Sequence, residues 1–151
     1  NLIMKKSTQP LLIILIFASF LLSIGCAKQG CLDPDASNYD AEADKDNGTC
    51  TFDGSIVFWF DLSTSDSLYY SGSDYLNYYV DGELIGTDSV QYYWNSAPNC
   101  GEEYSMTANK SLGSDKVKSF DYSIIDDLGY VIWAGTVEFD ANQCWSYRLD
   151  W

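Results

Sequence analysis

The 151-residue sequence contains no histidine. That absence removes Ser-His-Asp and Cys-His nucleophilic machinery, together with the imidazole ligands of the common zinc sites. Positive charge is scarce as well: 8 Lys and Arg stand against 22 Asp and Glu, a formal net charge of −14. Beyond the first 25 residues the cations are Lys28, Lys45, Lys110, Lys116, Lys118 and Arg148, scattered rather than clustered, so no basic patch awaits a phosphate backbone and nucleic acid is not an expected partner. Neither a Gly-x-x-x-x-Gly-Lys-Ser/Thr run nor a Gly-x-Gly-x-x-Gly run occurs, which leaves no phosphate-cradling loop. Long apolar runs are missing too. Leu11–Ile24 has 14 residues, short of the about 20 that a spanning helix needs.

What is present begins with that run. Met4, Lys5 and Lys6 form a charged start ahead of it, and Leu22-Ser23-Ile24-Gly25-Cys26 closes it with small residues before a cysteine. A positive n-region, a short apolar h-region and a small-residue end make a secretory signal. The LSIGC ending resembles the lipobox of bacterial lipoproteins, which implies removal of residues 1–25 and a lipid on Cys26. Two or more acyl chains on that residue would anchor the protein stably, since each buried methylene contributes about 0.8 kcal/mol. The expected location is the cell envelope, on the outer membrane, with the bilayer itself as a partner through the lipid.

Cysteine parity agrees with this reading. Five cysteines leave one unpaired in an oxidising compartment, and a lipid on Cys26 accounts for it. Cys31, Cys50, Cys100 and Cys144 can pair in three ways. The local pairing, Cys31 with Cys50 and Cys100 with Cys144, is favoured because each bond then lies within one structural unit.

Residues 26–50 form a unit of their own. Between Cys31 and Cys50 the chain is acidic, and Leu32 and Tyr39 are its two large hydrophobes, so burial alone cannot fold it. A disulfide across this loop contributes about 3 kcal/mol on the chain-entropy argument. A hard cation held by Asp33, Asp35, Asp40, Asp44 and Asp46 is a second device, with calcium as the ion. The spacing is not that of an EF-hand: counting back from Gly48, the ligand places fall on Asn47, Lys45 and Ala43. Calcium site and solvated spacer both stand at this point. The pattern at Gly30, Cys31, Asp33, Pro34, Ala36, Asn38, Tyr39, Ala43, Asp46, Gly48 and Cys50 resembles a cysteine-bracketed repeat of secreted Bacteroidetes proteins, with a looser likeness to thrombospondin calcium repeats. That resemblance implies export and no reaction.

From residue 51 to 151 the chain reads as one β domain. All five Trp and eleven of the twelve Tyr lie here, a load of apolar area that a disordered chain does not carry. Period-two patterning predicts strands at Ser55–Leu62, Tyr75–Gly86 as a hairpin about Asp81-Gly82, Ser89–Trp94, Glu102–Ala108, Lys118–Ile125, Tyr130–Phe139 and Cys144–Leu149. No stretch shows helical periodicity. The fold class expected is all-β, an antiparallel immunoglobulin-like sandwich of about seven strands, because no crossover helices are available for a parallel sheet. The Phe58-Trp59 strand, the Val80–Gly86 hairpin, the Pro98–Gly101 segment, the Tyr130–Val137 strand and Cys144 together resemble small secreted modules of the same bacteria. In such a sandwich the Cys100–Cys144 bond would tie the sheets or pin the last strand.

The function this supports is a non-catalytic binding or structural domain on a membrane anchor. A carbohydrate-binding role is the alternative, because strand alternation turns some of the Tyr and Trp rings outward; Tyr78, Tyr92 and Trp94 are the candidate ligand-binding residues, with a glycan or an envelope protein as partner. Asp and Glu pairs suited to glycoside hydrolysis exist, but 22 acids produce such pairs by chance, so an enzyme is not expected.

Overall fold

The computed structural model describes residues 27–151. Two short parallel segments, β1 (Gln29–Gly30) and β2 (Lys45–Asp46), belong to the acidic repeat. Seven strands follow: β3 (Phe52–Trp59), β4 (Tyr75–Val80), β5 (Glu83–Ser89), β6 (Met106–Gly113), β7 (Val117–Asp126), β8 (Val131–Asp140) and β9 (Cys144–Arg148). They make a four-stranded antiparallel sheet in the order β5-β4-β7-β8 and a three-stranded sheet in the order β6-β3-β9. The architecture is the sandwich of about seven strands. Its likeness to immunoglobulin domains is one of layers rather than connectivity, since β3 is central in the smaller sheet and pairs in parallel with β9.

Alternation builds the core. Phe52, Ile56 and Phe58 of β3 point inward, as do Leu76, Tyr78 and Val80 of β4, Phe120, Tyr122 and Ile124 of β7, and Val137 and Phe139 of β8. Phe58 sits at the centre, with the rings of Tyr122, Tyr147 and Tyr78 at 5.5, 5.8 and 6.1 Å. Asp81 and Gly82, at φ 56° and 73°, turn β4 into β5 with the left-handed pair that a two-residue hairpin requires. Gly54 is needed for a different reason: a Cβ there would lie 2.7 Å from the carbonyl oxygen of Asp140, so only glycine lets β3 pass the end of β8.

Three corrections to the sequence reading concern elements. A helix, α1 (Leu62–Ser71), occupies a stretch in which no helix was expected. It forms because its ends are satisfied: the Asp61 carboxylate accepts from the Thr64 N–H at 3.1 Å, and Gly72, at φ 95°, closes the last turn. The expected strand at Ser89–Trp94 does not form, because β5 ends at Ser89 and the chain leaves the sheet. The strand expected from Glu102 begins only at Met106, after a loop in which Tyr104 takes φ 64°.

The acidic repeat is docked on the sandwich. Cys31 and Ala36 are buried in one cluster with Phe52, and the Ser37 N–H donates to the Thr51 carbonyl at 2.8 Å. Lys116, just before β7, reaches back to Asp33 and Asp35 at 2.7 and 3.0 Å and stands 5.6 Å from the centre of the Phe52 ring. Cys31 is bonded to Cys50, and Cys100 to Cys144. The second bond joins the β5–β6 connection to the first residue of β9; it pins a loop and a strand of one sheet and does not tie the two sheets together.

Candidate functional site

The connection from β5 to β6 runs from Val90 to Ser105, longer than the about 4–6 residues typical of compact domains. Long connections of this kind carry function more often than structure. Here the loop is fastened along its length. Val90 is fully buried, its N–H donates to the Asp74 carbonyl at 3.1 Å, and its carbonyl accepts from the Ser65 hydroxyl of α1 at 2.7 Å. The Trp94 N–H donates to the Phe60 carbonyl at 3.0 Å. Farther on, the Gly101 N–H donates to the Thr107 hydroxyl at 2.9 Å and the Asn99 N–H to the Glu102 carboxylate at 2.9 Å.

Beneath this loop is the outer face of the smaller sheet. Val57 points away from the core yet is fully buried, and its ladder partners are Thr107 and Ser146. A fully buried side chain on that face needs a cover, and the loop is the segment fastened across it, by Gly101 on Thr107 and by the Cys100–Cys144 bond beside Ser146. Burial of one valine contributes about 2 kcal/mol, so the loop has an apolar anchor besides its polar ties.

On its solvent side the loop presents a groove of about 330 Å³ lined by Gln91, Tyr92, Tyr93, Trp94, Glu103 and Tyr104. Tyr92 and Tyr104 are stacked, with centroids 6.4 Å apart and planes 29° apart, and Tyr104 is 74% exposed. Its left-handed backbone is costly for a bulky residue, about 1–3 kcal/mol. The surrounding turn, in which the Ser105 N–H donates to the Glu102 carbonyl at 2.9 Å, holds it there. A strained conformation that presents an exposed ring points to use of that ring.

Of the three candidate ligand-binding residues, the structure brings Tyr92 and Trp94 together in this groove. Tyr78 is a correction. It is a core residue, 3% exposed and packed against Phe58, and burial drives its phenol far above the usual tyrosine range, with the Asp88 carboxylate adding to the effect. Tyr104, in contrast, is not a candidate from sequence, and Glu103 is there only one of many acids that could pair by chance. Nothing in a Glu-Glu-Tyr-Ser run announces a left-handed tyrosine.

The five carboxylates proposed for calcium do not converge. Asp33 and Asp35 meet Lys116, Asp40 meets Lys28 at 2.9 Å, Asp46 accepts the Gly48 N–H, and Asp44 is oriented toward the Lys28 N–H. Hydrogen bonds from these lysines hold Asp33 and Asp40 below the usual carboxylate range; Asp33 and Asp35 raise Lys116 in turn, and Glu42, followed by Asp40, raises Lys28. Among the described residues no group of three or more acids, cysteines or histidines is placed to hold a metal. Cys26 lies outside the described residues.

Comparison with protein-family models, with curated proteins and with solved structures gave no match for this chain.

Proposed function

We propose that this chain is a cell-envelope lipoprotein of the outer membrane, tethered by lipid on Cys26, whose sandwich is a non-catalytic binding module for glycans. The observation that carries the binding reading is the groove itself: Tyr92, Trp94 and Tyr104 present flat apolar faces beside the amide of Gln91 and the carboxylate of Glu103. Sugar rings offer the complementary surface, an apolar C–H face with hydroxyls around its edge. Amides and carboxylates bind adjacent hydroxyls well, because each offers two hydrogen-bonding atoms in a plane.

The anchor reading is supported by the signal and by cysteine parity, with all four other cysteines paired. Lys28, two residues after Cys26, is already gripped by Asp40 and Glu42. Two residues reach at most about 7 Å. A lipid on Cys26 would therefore hold the folded body against the bilayer, with the docked repeat as a rigid base.

Two measurements test these readings separately. Mass spectrometry of the mature N-terminus is expected to show an acylated Cys26; an unmodified residue at that end refutes the anchor. On a glycan array, Trp94→Ala is expected to lose binding while keeping its fold. Retained binding by that variant refutes the groove as the site.

A further inference from the structure

We propose that the groove is one half of a longer site, and that the whole strip takes an uncharged polysaccharide chain rather than a single sugar; this rests on the glycan reading above. A second groove, also about 330 Å³, lies between α1 and the loop. It shares Gln91 and Tyr93 with the first, so the two adjoin along those side chains. Its far wall is Tyr69 of α1, 54% exposed, with Asp66 beside it. The strip thus runs from Tyr104 and Tyr92 at one end, across the Gln91 amide and the Tyr93 ring, to Tyr69 at the other.

This order of groups suits a polymer. Rings at both ends and near the middle supply several stacking faces, and the amide between them supplies a donor and an acceptor where hydroxyls would lie. Charge narrows the choice. The ionisable lining is Glu103 in one groove and Asp66 in the other, besides tyrosines, and neither groove is lined by Lys or Arg. On a chain of net charge −14 such a strip repels uronic-acid, sulfated or phosphorylated glycans and admits neutral ones.

The two halves are locked together before any ligand arrives. The Ser65 hydroxyl of α1 donates to the carbonyl of Val90, the residue just ahead of Gln91, and Leu68, buried at 0% exposure, fixes the inner side of the helix. Tyrosine side chains lose little conformational entropy on binding. A preformed strip of this sort gains affinity with each further sugar it covers, until both grooves are full.

The test is titration calorimetry of the purified protein with neutral xylo-, gluco- and manno-oligosaccharides from disaccharide to hexasaccharide, with oligogalacturonides as the acidic control. Affinity is expected to rise about tenfold or more between the short and long members of the ladder that binds, then level off. Tyr69→Ala, an exposed position whose fold is checked by its melting curve, is expected to erase that gain and leave the short-chain affinity intact. Tyr104→Ala is expected to weaken every length. Binding that is independent of length, or a Tyr69→Ala protein that behaves as wild type, overturns the extended site while leaving the single-groove reading in place. Equal binding of oligogalacturonides overturns the neutral-chain specificity. Absence of binding to any member overturns both the inference and the glycan reading.

Discussion

Replacement of Tyr104 by alanine and by glycine separates what its ring does from what its backbone costs. At φ 64° the residue sits where an L side chain is disfavoured by about 1–2 kcal/mol. The ring is 74% exposed, so about a quarter of its about 200 Å² is removed from water, worth about 1 kcal/mol, and the stack on Tyr92 adds about 0.5–1.5 kcal/mol. Tyr104→Ala loses both ring terms and keeps the strain, for a net loss of about 2 kcal/mol. Tyr104→Gly loses the same ring terms but relieves the strain, offset by about 0.5–1 kcal/mol of extra freedom in the unfolded chain. Glycine should therefore be more stable than alanine by about 0.5–1 kcal/mol, about 3 °C in Tm for a domain of this size. Thermal melts followed by near-ultraviolet circular dichroism measure the difference, and both variants should lose glycan binding equally. An alanine variant that melts at or above the glycine variant would mean that Tyr104 is not held left-handed, and the argument for a preformed groove would fail.

The disulfide that fastens the loop should matter for stability and site together: Cys100→Ala with Cys144→Ala, at a separation of 44 residues, is expected to cost about 4 kcal/mol in denaturant titration, and an unchanged midpoint would show that the loop is held without it. Docking of the acidic repeat should depend on pH at both ends. Asp33 titrates below its ordinary value, so its contribution is present above the normal carboxylate range and lost as pH falls through the depressed value; Lys116 titrates above its ordinary value, so its contribution is present below the normal lysine range and lost as pH rises through the raised one. Hydrogen exchange of residues 31–50 should be slow between those limits, and Lys116→Ala should speed it at neutral pH while the strands of the sandwich stay protected; equal protection in the variant would refute the tether. Asp126, 4% exposed, accepts from the Leu128 and Tyr130 N–H groups and the Ser73 hydroxyl, so Asp126→Ala should cost about 3 kcal/mol by urea denaturation, and a cost below 1 kcal/mol would show that water replaces the carboxylate.

Much of the sandwich is legible in the sequence because period-two alternation and turn residues are local signals. The Asp81-Gly82 hairpin is read directly, and the strands from Lys118 and Tyr130 fall within a residue of β7 and β8. Helix α1 is not legible for a physical reason. Its sequence, LSTSDSLYYS, is rich in Ser, which competes for the backbone and reads as turn, while its stability comes from Asp61, Gly72 and one fully buried side chain, Leu68. The parallel β3–β9 pairing is invisible for another reason, since no local signal joins residues some ninety positions apart. Tyr78 was readable after all: the alternation that turns Leu76 and Val80 inward turns Tyr78 with them. Tyr92 and Trp94 are different, because aromatic residues in a row suggest a strand, and only the exit of the chain after Ser89 frees them for the surface.

That exit has an energetic consequence for binding. Ordering each loop residue costs about 1–2 kcal/mol of backbone entropy, and a loop of this length left loose would charge that cost to any ligand that ordered it. In this protein the cost is met on folding, by buried Val57 and Val90, by the Cys100–Cys144 bond, and by hydrogen bonds that reach α1, Phe60 just after β3, and β6. Each fastening falls close to a ring. Val90 precedes Gln91 and Tyr92, the Trp94 N–H is itself bonded to Phe60, and the turn that strains Tyr104 is closed by Glu102 and Ser105. On the proposed binding role, the groove's affinity is then set less by how many rings it contains than by how little they move when a ligand arrives. A variant that cuts a fastening but spares every lining residue, such as Thr107→Val, should in titration calorimetry weaken binding through the entropy of association while leaving its enthalpy nearly unchanged; a loss carried by enthalpy would refute this.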